Sequence, residues 1–220
     1  MILPIAQALP PDLIKACQQL ATQDKLFVDG RSTAGWYARD KKHNQQAKPD
    51  TRVRALLAQV ETALLGHELI IAAGRPKTLI RLLLSRYEPG MHYDNHIDDA
   101  LLDKQRADLS FTLFLSDPGS YEGGELVIDE PAAERSFKLE AGSLLLYPST
   151  TLHRVEPVRS GRRLVLVGWL RSFIRQAQQR ELLFDLDRSI AGIRGDSSHE
   201  HTLALMLKTR SNLLRMWAED

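Results

Sequence analysis

The chain has a single cysteine in 220 residues, Cys17, so no disulfide can form within it. That thiol sits in an amphipathic helical run, where it reads as a small buried group with no chemical role. Neither sign of charge is in excess: 29 Lys and Arg face 28 Asp and Glu, and the net charge is +1 at pH 7. A chain without a basic field is not built to collect nucleic acid. No stretch approaches the ~18 to 20 consecutive apolar residues that a membrane span requires. The opening MILPIAQALPPDLIK carries neither a basic leader nor a convincing cleavage site, so a soluble cytoplasmic protein with no membrane partner is expected. Internal repeats and low-complexity tracts are also missing. At 24.8 kDa there is room for one buried core plus an appendage, not for two full domains.

What is present falls into three regions. Residues 1–77 read as an N-terminal support region. Within it, Leu13, Ile14, Cys17 and Leu20 lie at helical spacing in Pro11 to Thr22, with Asp12 placed to serve the helix start. The stretch from Asp29 to Pro49 has no apolar period and reads as a long loop, in which Trp36 and Tyr37 could cap a substrate. Asp50 is a candidate N-cap for a second helix to Leu65, whose Val53, Leu56, Leu57, Val60 and Leu64 share a face. Residues 78–171 change character to eight short strand-like runs: TLIRLLLSRY, MHYDNHI, DLSFTLFLS, GELVI, RSFKLE, SLLLYP, LHRVEPV and RRLVLVGWLR. Gly, Pro or Asp separates most of them, which fits a jelly roll and not alternating βα units. In DLSFTLFLS, Leu109, Phe111, Leu113 and Leu115 make an apolar face, and Ser110, Thr112 and Phe114 a mixed one. Residues 172–220 read as a helical extension. Its final stripe of Leu203, Met206, Leu207, Leu213, Leu214 and Trp217 should bury on the chain's own sheet or, failing that, form a homodimer through the C-terminal helices.

Chemistry concentrates in MHYDNHIDD and the later LHRVEP. Residues two apart in a strand share a face, so His96 and Asp98 can present an imidazole nitrogen and a carboxylate oxygen to one ion, with His153 arriving from another strand. Two His and one carboxylate on one face of an octahedron leave three positions open, as in non-heme Fe(II) oxygenases. His92 and Asp94 form a second H-x-D on the same face of an unbroken strand, and periodicity does not choose between the pairs. Asp99 and Asp103 read as solvated loop charges, and His199 and His201 as surface groups. Arg163 opens an otherwise apolar strand and demands a partner; its planar fork suits the distal carboxylate of a 2-oxo diacid. Arg162 has the opposite parity and should face solvent. Tyr87 is a candidate second donor to that carboxylate. Gly123 and Gly124 suggest a tight turn or a close backbone approach near the mouth.

RYEPGMHYDNHID, the GGEL of Gly123 to Leu126, AGSLLLYPSTTLHRV and the following GRR resemble the prolyl-4-hydroxylase-type 2-oxoglutarate oxygenases, specifically the bacterial PKHD-type hydroxylases. The resemblance spans Leu79 to Leu170, with looser likeness around Thr33 to Gly35, Asn44 to Gln46 and the C-terminal helices. It implies a mainly β fold, a double-stranded β-helix (jelly roll, cupin-like) with N-terminal helices and a helical C-terminal extension. It further implies Fe(II) on His96, Asp98 and His153, with 2-oxoglutarate on Arg163 and O₂ as co-oxidant. The family places a tyrosine three residues before the ligand His, matching Tyr93 and His96, and commonly uses L-ascorbate (vitamin C) to keep iron reduced. The substrate, a small molecule or a peptide, is not implied. Two other classes stand beside this reading. One is a cupin-like metal-binding protein or isomerase without 2-oxoglutarate; the other is an interaction protein whose helical C-terminus is the working part.

Overall fold

The computed structural model describes residues 1–33 and 39–219. Two antiparallel sheets face each other. The larger has seven strands in the order Leu3–Ile5, Leu144–Pro148, Leu109–Phe114, Arg163–Ser172, Pro76–Tyr87, Gln45–Ala47 and Phe27–Asp29. The smaller has five: Glu134–Phe137, Leu126–Asp129, Leu152–Val155, His92–His96 and Lys42–His43. All eight runs read from the sequence form strands, and their jelly-roll arrangement is the expected one.

Both faces of the larger sheet are covered, which is why its strands carry apolar residues on both parities. The outer face packs under the helices Pro11–Ala21, Thr51–Leu65, Glu68–Gly74 and Ala177–Ile193, where Cys17, Val60 and Phe184 meet Leu109, Phe111, Leu113 and Leu166. The inner face meets the smaller sheet around Phe114, Ile128, Leu145 and Val165. Each fully buried leucine or valine here contributes about 1.5–3 kcal/mol.

Several local expectations are revised. Asp50 caps its helix as its sequence position suggests, accepting from the Arg52 N–H at 2.9 Å. Asp12 does not cap the first helix; Pro10 occupies that position, and Asp12 lies in the first turn. The stretch from Asp29 to Pro49 is not simply a loop. Lys42–His43 pairs with His92–His96 and Gln45–Ala47 pairs with Pro76–Tyr87, so one short segment borders both sheets. Backbone pairing to an open sheet edge needs no apolar period, and periodicity therefore misses it. The short helix Glu68–Gly74 is likewise absent from the sequence reading. Trp36 and Tyr37 lie outside the described residues. The final helix, Glu200–Trp217, buries no residue fully, and its main neighbour is the helix Ala177–Ile193. It is tied back by Glu219 N–H to Phe173 O at 2.8 Å and by an Arg210–Asp187 ion pair at 2.5 Å.

Candidate metal and cosubstrate site

The strand His92–His96 is not regular. Against its neighbour, His153 pairs with His96 but Val155 pairs with Tyr93, so three steps on one strand oppose two on the other. That extra residue is a β-bulge, and it reverses the alternation. Tyr93 and His96 turn inward, their rings stacked with centroids 3.5 Å apart. His92 and Asp94 turn outward, where they sit 3.6 Å apart with Asp94 61% exposed. The two H-x-D pairs thus occupy opposite sides of the sheet, and His96 and Asp98 are the pair on the same side as His153.

His96 and His153 are cross-strand partners, both buried, with ring centroids 4.2 Å apart. Each has its Nδ1 against a backbone carbonyl: His96 on Asp94 O at 2.8 Å, His153 on Thr151 O at 2.9 Å. A carbonyl only accepts, so Nδ1 carries the hydrogen and Nε2 keeps a lone pair. Both Nε2 atoms face Asp98 Oδ1, at 3.9 and 4.0 Å. These distances are too long for hydrogen bonds, yet close enough for three donors to share one cation. Among the described residues these three form the only group of His, Cys and acidic donors lying within 4.8 Å of one another. Burial, reinforced by the neighbouring His153, pushes His96 down to about 3, so it stays neutral and able to ligate. Spacing alone puts Asp98 in the strand with His96, but the strand stops at His96. The Asp98 carboxylate is instead fixed from the opposite sheet, by a Ser110 hydroxyl that donates to Oδ2 at 2.5 Å.

The second half of the site lies on the larger sheet. Arg163, paired with Tyr87 across the strands, is 1% exposed, and its Nε and Nη1 have no hydrogen-bond partner. The guanidinium lies 4.9 Å from the Tyr87 ring centroid and 5.7 Å from that of Phe114. Such a buried, half-satisfied cation calls for an anion. Arg162 faces solvent as its parity required and pairs with Glu88 at 2.8 Å. The Tyr87 hydroxyl is pushed up by burial and held back by the Arg163 charge and by hydrogen bonds with Asn44 and Arg163. Tyr121 is also pushed up by burial, opposed by the Arg163 charge and by a hydrogen bond with Arg163. Gly124 explains part of GGEL. Its φ is +66°, and a Cβ there would come within 3.0 Å of Arg163 Cδ. Gly123, at φ +72°, would bring a Cβ to 2.1 Å from Pro157 O.

Imidazoles, carboxylate and guanidinium all line one pocket. The donor set therefore fits an Fe(II) ion with a 2-oxo diacid. Sequence reading misses Lys42, Tyr147 and Trp169, which line the same pocket. Lys42 is buried, 5.4 Å above the Tyr93 ring, and burial pulls it down to about 8. For Ser110 and Thr112 a signal exists, since they form the mixed face of DLSFTLFLS; that face lines the pocket. Asp103 pairs with Arg81 at 2.8 Å. His199 and His201 are exposed, as expected of surface groups.

Residues 82–171 match the 2OG-Fe(II) oxygenase superfamily, and residues 178–219 match the PKHD-type hydroxylase C-terminal domain. A PKHD-type hydroxylase of Maricaulis maris is 47% identical over 220 residues, covering 100% of both chains. One from Picosynechococcus is 49% identical over 220 residues, again covering 100% of both chains. Among solved structures, a Pseudomonas putida prolyl-4-hydroxylase aligns with TM-score 0.55 at 22% identity, covering 78% of this chain and 92% of that one. A Trichoplax adhaerens prolyl hydroxylase, solved with a hypoxia inducible factor peptide fragment, aligns with TM-score 0.54 at 13% identity, over 83% and 86%. At these identities the two structures speak for the fold alone.

Proposed function

Because the chain belongs to the PKHD-type hydroxylases of the 2OG-Fe(II) oxygenase superfamily, we propose that it hydroxylates its substrate at an Fe(II) held by His96, Asp98 and His153. As a member of that family it is an Fe(II)- and 2-oxoglutarate-dependent dioxygenase. The observation that carries the residue assignment is the convergence of three donor atoms on one point, with a partner-seeking guanidinium in the same pocket. Iron, when bound with 2-oxoglutarate and O₂, supplies an oxidative decarboxylation that releases succinate and CO₂ and inserts one oxygen atom into a substrate C–H bond.

The protein's own groups do the positioning. His96 and His153 offer neutral nitrogens whose rings are locked by their carbonyl partners, so little reorganisation accompanies metal binding. Asp98 contributes the single negative charge. Arg163 takes the distal carboxylate of 2-oxoglutarate through its guanidinium, whose Nε and Nη1 have no partner within the protein, and Tyr87 acts as the second donor to the same group. Tyr93 covers the His96 ring and Tyr147 meets His153 edge-on at 5.1 Å, which keeps water from the ligand face.

Ascorbate maintains the reduced metal in this reading. The substrate is a small molecule or a peptide, and neither nucleic acid nor membrane takes part. Among the described residues no single helix is long and apolar enough to cross a membrane, and the buried, unpaired Cys17 suits a cytoplasmic location. Residues 78–171 act as the catalytic core between the support region and the helical extension. The exposed Leu205, Leu207 and Met216 of the last helix suit a homodimer contact.

The test is succinate formation matched to O₂ uptake in the Fe(II)-loaded protein, across a panel of candidate substrates. His153→Ala and Arg163→Met should abolish it. A wild-type protein that holds iron but makes no succinate across the panel would favour the cupin-like alternative.

A further inference from the structure

We infer that Ser110 is a positioning residue that holds Asp98 in a one-oxygen pose and so keeps a third coordination position open. The inference rests on the reading of His96, Asp98 and His153 as iron ligands. A carboxylate beside a divalent cation can bind through one oxygen or through both. In an octahedral site the difference matters, because a two-oxygen Asp98 would leave two open positions instead of three. A 2-oxo acid chelate needs two adjacent positions, so a second Asp98 oxygen competes with it for the metal, and where both bind O₂ has none.

The two oxygens of Asp98 are not equivalent in this fold. Oδ1 is the one facing both imidazoles, at 3.9 Å from His96 Nε2 and 4.0 Å from His153 Nε2. Oδ2 accepts the Ser110 hydroxyl hydrogen at 2.5 Å. The Ser110 Oγ also lies 2.9 Å from Ser149 Oγ. An ionised carboxylate only accepts, so the single Ser110 hydrogen goes to Asp98 and Ser149 must donate to Ser110. The result is a directed chain, Ser149 to Ser110 to Asp98, with all three side chains largely out of water: Ser110 is 1% exposed, Ser149 4% and the Asp98 side chain 9%. Both serines belong to the larger sheet's side, where Ser110 pairs with Tyr147 and Ser149 follows the strand Leu144–Pro148. Asp98 sits beyond the end of its own strand, so no ladder fixes its backbone and the hydroxyl from the opposite sheet sets its orientation.

The experiment uses the full chain loaded with Mn(II), with 2-oxoglutarate as the probe. It is repeated with Fe(II) without oxygen, to read the metal-to-2-oxoglutarate charge-transfer absorption. Ser110→Ala should weaken 2-oxoglutarate binding to the metal-loaded protein by about tenfold to a hundredfold and diminish the absorption band, the range seen when a ligand's outer partner is removed. Ser110→Thr, which keeps the hydroxyl, should recover both. Ser149→Ala should show a smaller loss of the same kind, and covers the case in which Ser110→Ala folds poorly. Wild-type affinity and absorption in Ser110→Ala would overturn the inference, as would a Ser110→Thr protein as defective as Ser110→Ala. Failure of the wild type to bind Mn(II), or undiminished binding in His153→Ala, would instead overturn the ligand assignment.

Discussion

Replacing Arg163 by Met should make the metal-free protein more stable while destroying its hold on 2-oxoglutarate. The two effects have opposite signs because the same unpaired groups cause both. In the absence of an anion, the buried Nε and Nη1 of Arg163 lack partners, and each unmet donor costs about 1–3 kcal/mol. Against that stand the ring contacts with Tyr87 and Phe114, at 4.9 and 5.7 Å, worth about 0.5–2 kcal/mol each. Met retains much of the stem's packing, so the net gain is on the order of 1 kcal/mol, or roughly 2–4 °C in Tm for a chain of this size. With the cosubstrate the arithmetic reverses. Two charge-assisted hydrogen bonds at about 1.5–3 kcal/mol each are lost, which at about 1.4 kcal/mol per tenfold weakens binding roughly 10² to 10⁴-fold. Calorimetry of the metal-free protein gives the first quantity, and titration of 2-oxoglutarate into the Mn(II)-loaded protein the second. An Arg163→Met variant that binds 2-oxoglutarate within about threefold of wild type would show that the distal carboxylate is held elsewhere. A metal-free variant that melts several degrees lower would show that the guanidinium is a satisfied structural group.

Three further outcomes follow from the same geometry. His96→Ala should abolish Mn(II) binding, measured by the free-ion paramagnetic resonance signal that bound metal loses, while His92→Ala, outward and 29% exposed, should leave binding nearly intact; the opposite ranking would place the metal on the other H-x-D. Gly124→Ala forces a side chain onto a φ of +66° and to 3.0 Å from Arg163 Cδ, so it should lower stability by about 1–3 kcal/mol and weaken 2-oxoglutarate binding. Unchanged cosubstrate affinity would mean that the Arg163 stem yields without moving its head. Burial pushes the Cys17 thiol up from 9.0 to about 12, so a thiol reagent at about pH 8, just below the ordinary thiol range, should react only after unfolding. Because the folded state keeps this proton where the unfolded chain releases it, the thiol's contribution to stability is full below pH 9.0 and declines as pH rises from there toward about 12; prompt modification of the folded protein would contradict the burial.

Elements whose burial comes from their own pattern were legible. Most of the eight strands and the helices Pro11–Ala21 and Thr51–Leu65 carry apolar residues at the period their environment selects, and Asp50 announces the second helix by its side chain. Elements that exist because something else is nearby were not. Gln45–Ala47 is a strand because Arg86 and Ser85 offer it an open edge, and no local pattern encodes that. The last helix shows the converse. Its apolar stripe is real, but Leu203, Met206, Leu213, Leu214 and Trp217 are only half-buried and Leu207 stays 44% exposed. Composition records that a face is apolar, not what lies across from it.

The site shows the same division at finer scale. His96, His153 and Arg163 were singled out from residue type and spacing and lie in one pocket, yet the parity rule that grouped His96 with Asp98 describes neither residue's actual placement. A single extra residue between Tyr93 and His96 turns the imidazole inward, and Asp98 reaches the same point from outside the strand, on a hydroxyl supplied by the other sheet. Had the strand run unbroken, His92 and Asp94 would have faced inward with His96, placing two more ligating groups beside the three donors. The bulge sends that competing pair to the outer surface, so the spacing that looked redundant in sequence yields one site with three donors. Ligand identity thus follows from chemistry that a sequence displays, whereas ligand exclusivity follows from a register defect that only the paired strands reveal.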